Sequence, residues 1–294
     1  MKKMSWIITA ACYFILCLFT TSLHAKEVYN FIITDLEGLE EVQREFGAFR
    51  ELLEQKAGIA IKFYPVTSRT AAVEAIRAKK ADFVLTGPAE YVVMRTLTEC
   101  FPIIGFSRPD YFSAVMVRSD SAYNNVKDLK GKKVAMGSVG STSSHLGPAQ
   151  VIMANGLDPQ KDIKIIHTKK EIAWESLKKG DIDAWGYNAG KIIRVRDKDN
   201  SIQPGDFKII ARGPDLPNDV LVASPHVDKA VVAKVVKAIS ENSDQLIKEI
   251  LKGDDNQKYK GMRFLATIQD SDYNYVRDMY RTIGQEKFAS FVGD

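Results

Sequence analysis

A run of small and hydroxyl-bearing residues, GSVGSTSSH, occupies positions 137–145 and directly follows the apolar stretch KKVAM. Apart from Val139, every residue from Gly137 to Ser144 is glycine, serine or threonine. Adjacent hydroxyls beside glycines could supply a nucleophile, cradle a phosphate or cap a helix. The spacing of these residues narrows the choice among the three.

Their spacing excludes the common catalytic and nucleotide-binding motifs. No serine lies between two glycines as a Gly-x-Ser-x-Gly nucleophile elbow requires. The Gly-Lys-Ser/Thr end of a Walker loop is absent, and Gly137, Gly140 and Gly147 lack the spacing of a dinucleotide fingerprint. The histidines beyond residue 25 share no zinc-ligand spacing. We therefore predict neither a metal site nor a cofactor, and no catalytic residue.

The remaining interpretation is a strand that ends in a hydroxyl-rich turn and opens a helix. The first N–H groups of a helix lack intrahelical acceptors, and together with the helix dipole they favour a bound anion. The hydroxyls of Ser141, Thr142 and Ser143 would add uncharged donors for the oxygens of a tetrahedral anion. One serine is enough to cap a helix. From the residues alone, an anion site and a simple cap both stay open.

Strand-like and helix-like segments alternate around this turn. Apolar residues at helical spacing predict a helix over 39–57 and another over 70–80. Strand-like runs flank these helices at 28–35, 59–66 and 81–88. A second alternating series follows residue 111, and the chain beyond residue 226 is mainly helical. This order predicts an α/β fold with mainly parallel sheets, whose ligands bind at the carboxyl ends of the strands.

We expect this fold to divide into two α/β lobes with two crossings between them. The first lobe would contain residues 26–118 and 221–294, and the second lobe residues 119–220. Residues 1–25 have the pattern of a signal peptide, because two lysines precede an apolar run at 6–19 that is too short to span a bilayer. We therefore expect export to the periplasm.

Charge and cysteine content restrict the partners. The net charge of +4 falls to about +2 without residues 1–25, which contain two lysines and no acid. This balance argues against nucleic-acid binding and against attachment to a membrane surface. Cys12 and Cys17 lie in the predicted signal peptide, so Cys100 has no intrachain disulfide partner. We expect a monomer stabilised by an ordinary apolar core.

The segment VKDLKGKKVAMGSVGSTSSHLGPAQVIMANGLDP resembles the signature of the phosphonate/phosphite/phosphate-type solute-binding proteins of ABC transporters. Three further segments agree with this family: LTGPAEYVVMR, YFSAVMVRSDS and ARGPDLPNDVLVAS. The resemblance covers essentially the whole chain beyond residue 25. It implies the type II periplasmic binding protein fold, with two lobes joined by a two-strand hinge. It also implies a non-enzymatic function: the lobes would close on a small anionic ligand and deliver it to an ABC permease.

The resemblance further implies roles for individual residues. Ser141, Thr142 and Ser143 would bind the oxygens of the anion. Asp219 would accept a hydrogen bond from a protonated ligand oxygen or amine, and Tyr111 would be an aromatic contact from the first lobe. His145, in the first turn of the helix, is a further candidate contact, with a solvent-facing role as the alternative.

Two cations depart from the pattern of the family. Relatives often have tyrosine where this chain has Arg69, and a histidine followed by an acidic residue where this chain has Lys170 and its neighbours. Both cations would make the cleft more positive, so the ligand would be more anionic than a phosphonate or would carry a carboxylate. A role at the protein surface is the alternative for both residues.

Two other functions are compatible with the same residues. A sensory subunit that presents its ligand state to a membrane histidine kinase or chemoreceptor would need the same lobe closure. A serine hydrolase using Ser141 or Ser143 with His145 is a remote alternative, because a nucleophile and its base must meet in hydrogen-bond geometry. Adjacent residues at a helix start rarely achieve that geometry.

Overall fold

The computed structural model describes residues 27–36, 38–66 and 68–288, without the side chains of Arg69 and Thr70. The predicted signal peptide therefore lies outside the described residues. Within these ranges, no helix combines the length and apolar character that crossing a membrane requires.

A six-stranded sheet forms the centre of the first lobe. Its strands are β1 (Val28–Ile33), β2 (Ala60–Phe63), β3 (Phe83–Thr86), β4 (Phe101–Phe106), β10 (Asp219–Ala223) and β11 (Phe264–Leu265). They lie in the order β11–β4–β10–β3–β1–β2. Strand β1 pairs in parallel with β2 and β3, whereas β10 and β11 run antiparallel to their neighbours.

A five-stranded sheet forms the centre of the second lobe. Its strands are β5 (Phe112–Arg118), β6 (Lys133–Met136), β7 (Lys164–His167), β8 (Ala184–Asn188) and β9 (Phe207–Asp215). They lie in the order β7–β6–β8–β5–β9. Strand β6 pairs in parallel with β7 and β8, and β5 pairs antiparallel with β8 and β9.

Helices cover both faces of each sheet. The first lobe contains α1 (Leu39–Ala57), α2 (Arg69–Arg77), α3 (Pro88–Thr98), α7 (Lys229–Glu241), α8 (Ser243–Ile250) and α9 (Asn274–Thr282). The second lobe contains α4 (Gly147–Ala154), α5 (Lys170–Lys179) and α6 (Ala189–Asp197). Short 3₁₀ turns at Val126–Leu129, Asp255–Tyr259 and Asp270–Tyr273 complete the connections.

Alternation along β1 shows how the first sheet acquires two apolar faces. Phe31 and Ile33 pack into a core with α1, α7 and α8, whereas the intervening Ile32 packs into a second core with α2, α3 and α9. Successive side chains of a strand point to opposite faces, so a continuous apolar run is buried on both sides. The second sheet is likewise covered by α5 and α6 on one face and by α4 on the other.

The two-lobed α/β architecture expected from the sequence is confirmed, but the sheets are mixed rather than mainly parallel. A strand that enters a sheet from the other lobe does not need the helical crossover that joins parallel neighbours. Strand β10 enters the first sheet in this way and runs antiparallel to β3 and β4. Strand β5 enters the second sheet in the same way and runs antiparallel to β8.

Sheet membership also shifts the expected lobe boundaries. Strand β5 lies in the second sheet, although residues 112–118 were assigned to the first lobe, and β10 begins at Asp219 in the first sheet. We propose that the lobes join at 107–111 and 216–218. These two crossings contact each other, because the Leu216 N–H donates to the Tyr111 carbonyl (2.7 Å).

The buried Cys100 follows α3 directly. Its side chain is fully enclosed, and burial raises the pKa of the thiol to about 11. The thiol is therefore protonated and shielded from solvent at neutral pH.

Candidate functional site

A cleft of about 1040 Å³ is lined by residues of both lobes and of the crossings between them. The first lobe contributes residues that follow β1 and β3, and the second contributes residues that follow β6 and β8. All four strands end at the cleft with their carboxyl ends, where doubly wound sheets bind their ligands. The site is thus expected at the strand ends where this cleft lies between the two lobes.

Three parallel strands of the second lobe bring three helix starts to this edge. Strand β6 lies between β7 and β8, so the turn after β6 lies between the starts of α5 and α6. The central turn carries Ser141 to Ser143, the start of α5 carries Lys170, and the start of α6 carries Lys191; all of them line the cleft. Adjacent strands are about 4.8 Å apart, so the three starts form one continuous wall.

The serine-rich turn has an unusual backbone conformation. Residues Thr142–Leu146 form a π-helical turn, in which the Leu146 N–H donates to the Ser141 carbonyl (3.0 Å). The Gly137 N–H donates to the Ser144 carbonyl (2.7 Å) and ties the turn to the end of β6. A Cβ atom on Gly137 would lie 2.6 Å from the Ser144 Cβ, so only glycine fits this close approach. Wide turns of this kind often occur at functional sites.

The three predicted anion ligands all line the cleft. Ser141 is partly exposed, and Thr142 and Ser143 are buried at the mouth of the helix. The Thr142 hydroxyl accepts a hydrogen bond from the Ala89 N–H of α3 (3.0 Å) and so links the two lobes. Its own hydrogen remains available, because a hydroxyl can accept one bond and donate another.

His145 lies behind the turn rather than in the cleft wall. Its ring is 5 % exposed and packs edge-on against His167, with 4.7 Å between the ring centroids. Its Nδ1 accepts a hydrogen bond from the Gly140 N–H (3.0 Å). The solvent-facing role is therefore wrong, and Nδ1 supports the backbone of the turn. Burial and the nearby His167 lower the pKa of His145 to about 4.

On the opposite wall, Asp219 is held in a buried charged network. Its carboxylate is 3.2 Å from the Arg108 guanidinium and accepts a 2.7 Å hydrogen bond from the Tyr259 hydroxyl. The Arg108 guanidinium also lies over the Tyr111 ring, 3.6 Å from its centroid. Burial alone would lower the pKa of Arg108, but the Asp219 carboxylate raises it above its usual value. These contacts hold Asp219 in a fixed orientation at the cleft.

Tyr111 lines the cleft from the first crossing rather than from the body of the first lobe. Its ring is buried, and burial raises the pKa of its phenol to about 12 although the neighbouring Arg108 opposes this shift. The phenol is therefore a hydrogen-bond donor throughout the neutral range. It also contacts Ser143 of the serine-rich turn through a side-chain hydrogen bond.

The structure places one of the two cations that the sequence predicted in the cleft, Lys170, and does not describe the side chain of the other, Arg69. Lys170 lines the cleft, but its ammonium is paired with the neighbouring Glu171 (3.1 Å). The side chain of Arg69 lies outside the described residues, so its predicted contact stays a prediction. The backbone at this point is the start of α2, capped by the Ser68 hydroxyl, which accepts from the Ala71 N–H (3.2 Å).

Sequence reasoning did not assign Arg108 or Lys191 as individual ligand contacts. Arg108 lies in the segment SRPDYF, where nothing in the local pattern shows that its guanidinium reaches a carboxylate 111 residues later. Lys191 follows the end of strand β8 at Asn188, and the carboxyl ends of strands are where such sheets bind ligands. The Asn188 side chain caps α6 by accepting from the Lys191 N–H (2.9 Å), and this fixes the first turn of the helix.

The sequence matches the model of a known protein family over most of its length. The family model described as "ABC transporter, phosphonate, periplasmic substrate-binding protein" matches residues 31–273. The chain belongs to this family. The match includes both lobes and the crossings, and with them every residue assigned above to the cleft. The earlier resemblance is thereby confirmed.

Named relatives of this phosphonate-binding family differ in the ligands that their names state. A phosphate-import protein of Mycolicibacterium smegmatis is 22 % identical over 293 residues, covering 91 % of this chain and 89 % of the relative. A putative aliphatic sulfonates-binding protein of Bacillus subtilis is 30 % identical over 145 residues, or 49 % of this chain and 42 % of the relative. The ligands stated in these names share a tetrahedral oxyanion group, whose central atom is phosphorus in phosphate and sulfur in sulfonates.

Among solved structures, the protein PhnD1 of Prochlorococcus marinus in complex with methylphosphonate superimposes with a TM-score of 0.62. The sequence identity is 18 %, and the alignment covers 88 % of this chain and 98 % of that chain. At this identity the likeness establishes the type II periplasmic binding protein fold.

Proposed function

We propose that this protein is the periplasmic substrate-binding component of an ABC importer and that it captures a small phosphorus oxyanion, such as a phosphonate, phosphite or phosphate. The observation that carries this proposal is that the serine-rich turn of the second lobe and the Arg108–Asp219 pair line the same cleft. Hydroxyl and N–H donors face the headgroup from the second lobe, and a buried acceptor faces it from the first. Each lobe therefore offers half of a binding site.

The headgroup would bind at the start of the helix. The N–H groups of the first turn, the Ser141 and Ser143 hydroxyls and the free hydrogen of Thr142 would donate to its ionised oxygens. In a dry cleft, such charge-assisted hydrogen bonds are stronger than neutral ones. Tyr111 and Arg108 would add donors from the crossing. Contacts to both lobes at once would stabilise the closed arrangement, which the permease would recognise.

Asp219 would select the central atom of the headgroup. A phosphonate monoanion keeps one P–OH group and a phosphate monoanion keeps two, and such a group can donate to a carboxylate oxygen. A sulfonate is fully ionised and can only accept, so its oxygen would meet the Asp219 carboxylate with like charge. Arg108 contacts both oxygens of Asp219, and Tyr259 donates to one of them. A carboxylate has about four acceptor positions, so a position remains for the ligand.

Titration calorimetry tests this proposal with methylphosphonate, phosphite, phosphate and methanesulfonate. We expect the phosphorus oxyanions to bind and methanesulfonate to bind at least tenfold more weakly. Ser141→Ala should weaken methylphosphonate about 10- to 100-fold, because a hydrogen bond to a charged group contributes about 1.5–3 kcal/mol. Ser240→Ala is the matched control, since it removes a serine hydroxyl from the exposed face of α7.

Two results would contradict the proposal. If none of the phosphorus oxyanions bound to the folded protein, the ligand class would be wrong. If Ser141→Ala bound methylphosphonate as tightly as the Ser240→Ala control, the headgroup would lie elsewhere in the cleft.

A further inference from the structure

One face of α6 lines the cleft with cations. Lys191, Arg194 and Lys198 recur at positions i, i+3 and i+7, and all three line the cavity. Residues at this spacing lie along one side of a helix. Within the described part of the chain, no carboxylate lies within 4.0 Å of their nitrogens. This side of α6 thus presents unpaired positive charge to the ligand cavity.

Lys191 differs in this respect from Lys170 on the other side of the serine-rich turn. Lys170 is neutralised by Glu171 at 3.1 Å. Arg196, which lies on α6 outside the cleft, is also paired with a carboxylate, that of its neighbour Asp197 (2.7 Å). The cations of α6 that lack a carboxylate partner are those that face the cavity.

The surroundings of Lys191 disfavour its charged form. Lys191 is exposed at the cleft wall, and desolvation by the protein atoms around it lowers the pKa of the ammonium to about 8. Arg108, Lys258 and Lys170 also act to lower this pKa, and Asp35 of the opposite wall acts to raise it. Asp35 is already bound by Lys258 at 2.6 Å. An anion in the cleft would supply the missing partner.

The position of Lys191 relates it to the headgroup site. Strands β6 and β8 are parallel neighbours, with Val134 beside Ala184 and Ala135 beside Trp185. The serine-rich turn and the start of α6 therefore follow adjacent strand ends, about 4.8 Å apart at the sheet. A ligand held by its headgroup on the turn would therefore lie on the same wall of the cleft as Lys191.

We propose that the ligand is a phosphonate or related oxyanion whose organic substituent ends in a second anionic group, such as a carboxylate, bound by Lys191. This inference rests on the proposed function and specifies the ligand of the same site. Lys191 is the specificity-determining residue, and Arg194 extends the positive surface for longer substituents. A ligand with a cationic substituent is disfavoured at this position.

Three ligands with the same headgroup test the inference. Propylphosphonate has a neutral tail, 3-phosphonopropionate has a carboxylate tail, and 2-aminoethylphosphonate has a cationic tail. In calorimetry, we expect 3-phosphonopropionate to bind 10- to 100-fold tighter than propylphosphonate, the range of one charge-assisted hydrogen bond. The aminoethyl ligand should bind more weakly than both.

Lys191→Gln is the decisive variant. It should abolish the preference for 3-phosphonopropionate and leave the affinity for propylphosphonate within about threefold of the wild type, since the headgroup contacts lie on another element. Lys179→Gln is the matched control, because it removes the same charge from an exposed position of the same lobe outside the cleft. This control should keep the full preference and thereby exclude an effect of net charge.

The outcomes separate the inference from the proposed function. Binding of propylphosphonate without preference for the carboxylate tail would overturn the inference and leave the proposed function intact. An equal loss of both ligands in Lys191→Gln would also overturn it and would assign Lys191 to lobe closure against Asp35. Failure of all three ligands to bind would overturn the proposed function and the inference together.

Discussion

At the scale of single residues, the cleft contains side chains that hold other side chains in place. The Tyr259 hydroxyl donates to one oxygen of Asp219, and Arg108 pairs mainly with the other. All of these polar groups are buried or nearly so. A buried charge is tolerated only when it is paired and hydrogen-bonded. The orientation of Asp219 toward the ligand thus depends on Tyr259, which is itself far along the chain.

Tyr259→Phe tests whether Asp219 depends on the Tyr259 hydroxyl. The substitution leaves a buried carboxylate oxygen without its donor, and we expect the free energy of unfolding to fall by about 1–3 kcal/mol. Denaturation by urea measures this change. Tyr275→Phe removes the same hydroxyl from a partly exposed residue of α9 whose oxygen has no hydrogen-bond partner in the described structure, and it should cost far less. Equal effects of the two substitutions would show that Asp219 does not need this bond.

Local pattern made some of the site residues predictable and left others hidden. The position of Ser141, Thr142 and Ser143 at the cleft was predictable, because they form a contiguous run that follows a strand. The contact of Arg108 was not, because it depends on a carboxylate that arrives through the second crossing. Lysines near helix starts are common, so the sequence does not distinguish Lys191 from Lys170. Only the tertiary structure shows that Lys170 has a carboxylate partner and that Lys191 has none within 4.0 Å among the described residues.

At the scale of elements, the turn between β6 and α4 is supported from behind by His145. Its unprotonated Nδ1 accepts from the Gly140 N–H (3.0 Å), next to the left-handed conformation that Gly140 adopts at φ 81°. Protonation of Nδ1 would place two donors against each other. The conformation of the serine-rich turn is therefore coupled to the charge of a histidine that does not line the cleft.

This coupling predicts a pH dependence of stability. Because the pKa of His145 is lowered from 6.5 to about 4, the unfolded chain binds a proton in this interval that the folded chain does not. Stability is therefore lost as the pH falls from about 6.5 to about 4, by up to about 3 kcal/mol. Unfolding free energies measured across this range should show the loss.

His145→Asn is the variant that isolates this contribution. The asparagine oxygen can accept from the Gly140 N–H but does not titrate, so the curve of stability against pH should be flatter between pH 6.5 and 4. The difference between the two curves removes the contribution of acidic residues, which is common to both proteins. Parallel curves would show that His145 does not determine the acid sensitivity.

The elements themselves were largely predictable, and strand direction was not. Helix α1 occupies the predicted range 39–57 and ends at Gly58, whose left-handed φ of 68° suits glycine. Pro88 begins α3, in keeping with the preference of proline for the first helical turn. The chain beyond residue 226 is mainly helical as predicted, and it begins with two helices that meet at Asn242. Direction in the sheets depends on which lobe a strand comes from, and local pattern carries no such information.

At the scale of the whole molecule, the lobes are joined by two short crossings and by contacts around the cleft. The crossings are held together by the Leu216–Tyr111 hydrogen bond and by the Asn218 side chain, which accepts from the Arg108 N–H (3.0 Å). Helix α9 adds a second link, because the Gln160 side chain of the second lobe donates to the Thr282 carbonyl (3.2 Å). If the lobes rotate relative to each other, we expect the crossings to act as the hinge.

Small-angle scattering tests this rotation in solution. If contacts to both lobes favour closure, saturating methylphosphonate should reduce the radius of gyration relative to the ligand-free protein. Ser141→Ala, measured at the same ligand concentration, should show a smaller reduction in proportion to its occupancy. An unchanged radius under conditions in which calorimetry shows saturation would contradict a closure mechanism.

The enclosure of Cys100 has a practical consequence for following such a rotation. Its raised pKa and complete burial make this thiol unreactive toward maleimides in the folded protein. It is the one cysteine in the part of the chain that the structure describes. A cysteine introduced at the cleft rim would thus be labelled selectively without replacing a core residue. A fluorophore attached there would report ligand arrival in real time, so the fold can serve directly as the frame of an oxyanion biosensor.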